Sequence, residues 1–163
     1  MDRIIGSLLA LTCCCGQNLN PDEERESYEI YTNLLSEKQP TVERWMIVQE
    51  TRAFNLCLRP TRDQESVYRS LMEDYSLKNS KPYLLDRKFN LPDYTLVTPA
   101  KWQRSTRDRI FAVFSAVGFN QDRTRAVVCY WLRSEGTCSV LIREGSTWRS
   151  DRDWHGNGCA WAA

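Results

Sequence analysis

The sequence predicts an α+β domain: an antiparallel sheet, built as a C-terminal meander, with two helices from the N-terminal half packed on one of its faces. Two N-terminal segments carry apolar side chains every three or four residues, which is the spacing of a helix that buries one face. The C-terminal half holds short β-favouring runs separated by turn residues. In the last full run Cys138, Val140 and Ile142 alternate with residues that we expect to meet water, which indicates a sheet with one wet face.

Two helices are predicted in the N-terminal half. Asn20 supplies a side-chain cap and Pro21 suits the first helical position, so the first helix begins there and ends before Pro40. Thr61 is placed to cap the second helix, which ends near Asn79. The predicted buried stripes are Tyr28, Tyr31, Leu34 and Leu35 in the first helix and Val67, Tyr68, Leu71 and Tyr75 in the second.

Strands are predicted from β-favouring runs between and after these helices. The run 110–117 is almost wholly apolar, which favours burial on both faces. Glu135 and Gly136 have the character of a turn, so we place the tip of the last long hairpin there. The predicted strands cover residues 44–52, 94–98, 110–117, 125–133, 137–144 and 147–149, and a helical turn runs from Pro99 to Arg104.

Length and charge limit the classes of protein that the chain can belong to. The 163 residues suffice for one domain with a full core, which we place at residues 17–163. Basic side chains number 22 and acidic ones 21, for a net charge of +1. The chain therefore has no overall attraction to nucleic acid, which we do not expect as a partner.

The segment Met1–Gly16 is typical of an export signal. It combines an early arginine, the short apolar run Ile4–Leu11 and small residues before a polar stretch. The run is too short to cross a bilayer, so no transmembrane span is expected. A lipoprotein signal with a lipid anchor at Cys13 or Cys14 is an alternative, as is an ordinary buried segment of the domain. We therefore expect a periplasmic, secreted or outer-membrane-anchored protein.

Removal of residues 1–16 leaves an even number of cysteines for an oxidising compartment. Two disulfides are then plausible, and four buried free thiols are the alternative. A hairpin tip at Glu135–Gly136 separates two of these cysteines by four strand residues, or roughly 13 Å, whereas a bridge spans about 7 Å. The pairing Cys129–Cys138 is therefore disfavoured. The disulfide candidates are Cys57, Cys129, Cys138 and Cys159.

Chemistry-bearing motifs are scarce. His155 is the single histidine and the chain has no C-x-x-C pair, so no metal, cofactor or nucleophilic triad is predicted. Glu50 and Asp93 lie near predicted strand ends, and two carboxylates suffice to hydrolyse a glycoside. An envelope hydrolase that uses such carboxylates is thus the alternative to a non-catalytic protein.

Arginine and tryptophan alternate along the C-terminal strands, which favours a binding surface. Arg125, Trp131, Arg133, Arg143 and Trp148 form this predicted face. We expect an exported, non-catalytic domain that binds a protein or a cell-envelope component through it. A purely structural or stress-related envelope protein is a further alternative.

The segment from Phe114 to Arg149 carries a Val-Gly-Phe-Asn turn at Val117–Asn120 and a Gly-x-x-Trp strand end at Gly145–Trp148. With these motifs it resembles an uncharacterised family of exported bacterial α+β proteins of the soil-bacterium type. Earlier pieces from Tyr28 to Thr51 also resemble that family. The resemblance implies a secreted or lipid-anchored α+β domain of unknown activity, with no catalytic residues to carry over.

Overall fold

Three helices and one eight-stranded mixed sheet make up the described part of the chain in the computed structural model. The structure describes residues 20–38, 44–56, 58–103, 111–133, 135–151, 154 and 161–162. The helices are α1 (Pro21–Lys38), α2 (Glu65–Lys78, after a 3-10 turn at Arg62–Gln64) and α3 (Pro99–Gln103). The strands are β1 (Trp45–Val48), β2 (Tyr94–Val97), β3 (Phe111–Phe114), β4 (Gly118–Phe119), β5 (Arg125–Leu132), β6 (Glu135–Glu144), β7 (Thr147–Ser150) and β8 (Trp161–Ala162).

The sheet has the order β2-β1-β3-β5-β6-β7. Strand β1 is parallel to β2 and β3, and the remaining pairs are antiparallel. Short β4 pairs with β5, and β8 pairs with β6. The predicted α+β class is therefore confirmed, whereas the sheet is mixed and mostly antiparallel, because β1 runs parallel to both of its neighbours. None of the described helices combines the length and the apolar character that crossing a membrane requires.

The two long helices belong to different apolar clusters. Val128 of β5 packs in the same cluster as Leu34 of α1, whereas the adjacent Val127 packs in a second cluster with Leu71 of α2. Because successive residues of a strand point to opposite faces, α1 and α2 cover opposite faces of the sheet. The expected packing of both helices on one face is thus not confirmed. Leu141 of β6, expected to meet water, is 2% exposed because α1 covers its face.

Residues 111–120 form a continuously buried stretch, as the apolar run 110–117 predicts. The run is nevertheless split, since residues 115–117 lie between β3 and β4 and belong to no strand.

Side chains from both long helical segments make hydrogen bonds to the backbone of residues 115 and 116. Tyr31 of α1 donates its hydroxyl to Ser115 O at 2.8 Å. Asn79, which follows α2, accepts from Ala116 N at 2.8 Å and donates to Ala116 O at 3.2 Å. Buried polar groups of the backbone are thereby satisfied.

A charged cluster joins α1 and α2 beside β4. Lys78 Nζ lies 2.7 Å from Asp74 Oδ2 and 3.1 Å from Glu23 Oε2. The same Asp74 oxygen accepts a hydrogen bond from Phe119 N at 2.7 Å, and the ammonium lies 4.8 Å from the centre of the Phe119 ring. The start of α1 is therefore joined to the end of α2, and the end of α2 is fixed to β4.

Gly118 allows β4 to contact α2 directly. A Cβ atom at this position would lie 2.7 Å from Tyr75 Cβ and 2.8 Å from Tyr75 Cα. The helix backbone leaves no room for a side chain. Asn120 closes the following turn, since its Oδ1 accepts from Arg125 N at 2.7 Å. These contacts explain the Val-Gly-Phe-Asn motif as a packing and turn feature.

The β5–β6 hairpin turns two residues earlier than the sequence predicts. Leu132 pairs with Glu135, so the tip includes Arg133, whose φ of 58° lies in the left-handed region. Gly136, which favoured a turn at the predicted tip, instead lies in the ladder opposite Trp131. The predicted tip is therefore wrong, and every cross-strand pair of this hairpin shifts with it.

Replacement of Gly118 with alanine is expected to lower the free energy of unfolding by about 3 kcal/mol, because the added methyl group meets helix backbone that cannot move alone. Gly145→Ala is the control. Gly145 has a φ of 62°, and a methyl group added there would meet no other atom within 4 Å, so the substitution carries only the backbone cost of about 1 kcal/mol. Urea unfolding measures both, and equal losses would contradict the close approach.

Removal of the Tyr31 hydroxyl in Tyr31→Phe is expected to cost about 2 kcal/mol, since Ser115 O loses its donor while the ring packing on Phe114 remains. Tyr94→Phe serves as the control because the Tyr94 hydroxyl makes no hydrogen bond to the described residues. Equal urea midpoints for the two variants would contradict this role.

Alkaline pH provides a second test of the same buried hydroxyls. Burial raises the pKa of Tyr83, which is hydrogen-bonded to Tyr31, to about 12, and it raises the pKa of Tyr31 well above 10. Above pH 10 the unfolded chain therefore holds fewer protons than the folded protein, and the free energy of unfolding falls as pH rises from about 10 to about 12. The fall should be shallower in Tyr31→Phe.

Candidate functional site

The predicted arginine–tryptophan surface is divided between the two faces of the sheet. Arg125 and Trp131 occupy alternate positions of β5 on the face that α2 partly covers. Arg143 pairs with Trp148 across β6 and β7, on the face of α1. Arg133 lies at the exposed hairpin tip. The structure therefore does not bring the five residues together.

Most of these five side chains already make contacts within the protein. Trp148 is 2% exposed and packs 5.6 Å from the ring of Phe119, so it is a core residue. Arg125 Nε lies 3.1 Å from Asp151 Oδ2. Trp131 Nε1 donates to Arg133 O at 3.0 Å. Arg133 and Arg143 are exposed, and Arg125 and Trp131 are half-buried.

Glu26 is a buried carboxylate on α1 that the sequence analysis missed. Its Oε1 accepts from Arg143 Nη1 at 3.1 Å and lies 3.8 Å from Arg123 Nη1. Two guanidinium groups thus offset the charge of a residue that is 2% exposed. Its position in the sequence could have predicted its burial, because Glu26 lies one turn before the buried Ile30 on the same helix. The contacts make it a packing residue between α1 and the β6–β7 hairpin.

Cys129 and Cys138 form a disulfide across β5 and β6, with their Cα atoms 3.9 Å apart. The prediction that disfavoured this pair is wrong, because the true register places the two residues directly opposite each other. The pair is buried in the cluster under α2. Four free thiols are likewise excluded. Cys57, Cys159 and the export segment with Cys13 and Cys14 lie outside the described residues.

The carboxylates of the alternative hypothesis lie at separate surface features. Asp93 pairs with Arg44 at 3.4 Å in a solvent-exposed contact. Glu50 forms a single β-bridge with Leu84 beyond the end of β1. In the part of the chain that the structure describes, no group of three or more His, Cys, Asp or Glu residues has the arrangement of a metal site. His155 lies outside that part.

A cavity of about 420 Å³ lies along the outer side of α1, and we call it the α1 groove. A helix stripe from Pro21 to Asn33 forms its length, Lys88 and Asn90 contribute from the loop before β2, and Ser146 and Thr147 contribute from the β6–β7 turn. With a rise of 1.5 Å per residue, this stripe is about 18 Å long. Three segments far apart in sequence thus meet at one elongated depression.

The charged side chains of the α1 groove are paired with one another or with their neighbours. Lys88 Nζ lies 2.6 Å from Glu24 Oε1, and this hydrogen bond raises the pKa of Lys88. Arg25 lies 3.3 Å from Asp22 and 3.9 Å from Glu29. The groove therefore presents balanced charge to a ligand.

Several neutral side chains that line the α1 groove are available for hydrogen bonds to a ligand. Among the described residues, the side chains of Asn90 and Ser146 have no hydrogen-bond partner. Asn33 uses only its Nδ2, in a long 3.5 Å contact with Trp148 O, so its Oδ1 is available. Tyr28 lies at the floor but is 5% exposed, with Lys88 Nζ 5.9 Å from its ring centre. The groove can therefore bind through amides and a hydroxyl, without an exposed aromatic ring.

A second, more open cavity of about 480 Å³ lies between α2 and the β4–β5 turn. Ser66 and Ser70 line one side and residues 120–122 the other. Two of its polar side chains already make hydrogen bonds within the turn. Asn120 Oδ1 accepts from Arg125 N. Asp122 Oδ1 accepts from the Thr124 hydroxyl at 2.8 Å, and this hydrogen bond lowers the pKa of Asp122. The side chains of Ser66, Ser70 and Gln121 have no hydrogen-bond partner among the described residues, so this cavity differs from the α1 groove in its openness and in its lack of paired charges, and not in the number of free groups.

Comparison with known proteins gives no relative for this chain. No protein-family model matches it, and neither a curated protein nor a solved structure matches it significantly.

Loss of the disulfide in Cys129→Ala/Cys138→Ala is expected to lower the free energy of unfolding by about 3 kcal/mol, because the bridge closes a short loop of the unfolded chain. Reductant should shift the urea midpoint of the wild type toward that of the variant and leave the variant unchanged. Peptide mapping without reduction should recover the two cysteines in one linked species. Separate peptides with both thiols alkylated would contradict the bridge.

Proposed function

We propose that the protein is an exported, non-catalytic binding domain that holds an uncharged polar ligand in the α1 groove. One observation carries the proposal: the groove combines paired charges with amide and hydroxyl groups that lack partners. Asn33, Asn90 and Ser146 supply these groups. Ligand sites characteristically join a concave surface to a few polar groups that orient the ligand.

Export is supported by two features of the chain. The Cys129–Cys138 disulfide suits an oxidising compartment. The segment Met1–Gly16 has the pattern of a signal peptide or, with Cys13 or Cys14 as an anchor, of a lipoprotein signal. The resemblance of Phe114–Arg149 to exported bacterial proteins agrees with both. A ligand of such a domain is a protein or a component of the cell envelope.

The hydrolase alternative receives no support from the contacts of its acids. Asp93 is engaged with Arg44, and neither Asp93 nor Glu50 lines the α1 groove. The proposal therefore assigns no catalytic residue.

Ligand binding is tested by the unfolding temperature in the presence of uncharged peptides, uncharged oligosaccharides and charged forms of each. An uncharged ligand at about ten times its Kd should stabilise the protein by about 1.4 kcal/mol, or about 4 °C. The gain should disappear in Asn33→Ala/Asn90→Ala. It should remain in the control Ser66→Ala/Ser70→Ala, which alters the second cavity. Stabilisation by charged probes alone, or by none, would contradict the proposal.

Export is tested by the intact mass of the protein after expression of the full chain in a bacterial host. Loss of residues 1–16 is the expected result for a secreted or periplasmic form, and a diacylglycerol adduct on Cys13 or Cys14 marks the lipid-anchored form. A product that keeps Met1–Gly16 and carries free Cys129 and Cys138 thiols would contradict export.

A further inference from the structure

Building on the proposed function, we infer that the α1 groove binds an extended, uncharged peptide segment of about five residues, chiefly through the peptide main chain. The partner is therefore a flexible segment of another polypeptide. Four features of the groove lead to this assignment: its length, its amide groups, its charge pairing and its lack of an aromatic surface.

The length of the groove fits an extended chain. The α1 stripe from Pro21 to Asn33 spans about 18 Å. A polypeptide in β conformation advances about 3.3 Å per residue, so about five residues fill this length. A single compact small molecule would leave one end of the groove empty.

The free amides match the groups of a peptide main chain. An asparagine side chain offers a carbonyl acceptor and an NH₂ donor, so it can bind both the N–H and the C=O of a peptide. Asn90 has both groups available, and Asn33 has its Oδ1. The two residues approach from different segments: Asn33 contacts Trp148 O on β7, whereas Asn90 N donates to Thr32 Oγ1 at 3.3 Å. Because Thr32 and Asn33 are consecutive, both amides lie at the same end of the α1 stripe, where a ligand can meet them together.

The charge pairing selects against charged segments. The four charged residues that line the groove, Glu24, Arg25, Glu29 and Lys88, sum to no net charge, and their solvent-exposed pairs offer a charged side chain of a ligand little net attraction. An uncharged segment binds without breaking these pairs. This charge balance favours a peptide that is recognised through its main chain and carries small or polar side chains.

The missing aromatic surface favours a peptide over a sugar. Sugar rings bind best where their C–H face lies on an exposed aromatic ring. Among the described residues that line the groove, Tyr28 alone is aromatic; its ring is buried, and its hydroxyl accepts a hydrogen bond from Asp86 N. A glycan could therefore bind in the groove only through hydrogen bonds.

Nuclear magnetic resonance titration of ¹⁵N-labelled protein tests this inference. The probe is a pool of N-acetylated, C-amidated pentapeptides of glycine, alanine, serine, threonine, asparagine and glutamine, and a pool of uncharged oligosaccharides is the comparison. The peptide pool is expected to shift the side-chain amide signals of Asn33 and Asn90. Its affinity should fall at least tenfold in Asn33→Ala/Asn90→Ala and stay within twofold in Ser66→Ala/Ser70→Ala. Unchanged spectra away from the groove show that the variants are folded.

The remaining outcomes of the titration contradict either the peptide assignment alone or the proposed function as well. Groove signals that respond to oligosaccharides and not to peptides would overturn the peptide assignment while the proposed function stands. Groove signals that respond to neither pool would overturn both. Peptide shifts confined to other surfaces, or unaffected by the loss of Asn33 and Asn90, would overturn the peptide assignment at this groove.

Discussion

The structure depends on hydrogen bonds that helix side chains make to one buried stretch of backbone, residues 115–117. This stretch joins β3 to β4 without belonging to a strand. Tyr31 from α1 binds Ser115 O, and Asn79 after α2 binds both polar groups of Ala116. Loss of these bonds would leave Ser115 O and Ala116 N buried without partners, which costs more free energy than the net gain from an ordinary hydrogen bond. Each helix is thereby held to the sheet from its own side.

The position of α1 also determines the candidate site. The charged contacts among Glu23, Asp74 and Lys78 join its first turns to α2, while Glu26 binds Arg143 of the β6–β7 hairpin. With its inner side packed and its first turns fixed, the helix presents a constant stripe to the groove. Asn33 lies on this rigid helix and therefore keeps its geometry better than Asn90 and Ser146, which lie on a loop and a turn.

Local sequence signals predict the elements better than their arrangement. Asn20 marks the start of α1 correctly, since Asp22 N donates to its Oδ1 at 3.0 Å. The β5–β6 register is wrong in the prediction because the turn uses Arg133 with positive φ, where sequence patterns favour Gly136. The disulfide was missed for the same reason. The two faces and the α1 groove depend on tertiary packing between distant segments, for which the chain carries no short motif.

Native-state hydrogen exchange at the amide of Ala116 tests most directly whether the stretch 115–117 is held in place by the helices. The hydrogen bonds to Asn79 predict exchange as slow as that of the slowest β5 amides, through global unfolding alone. In Asn79→Ala the same amide should exchange much faster than β5. Fast exchange of Ala116 in the wild type, independent of global stability, would contradict this role of the helices.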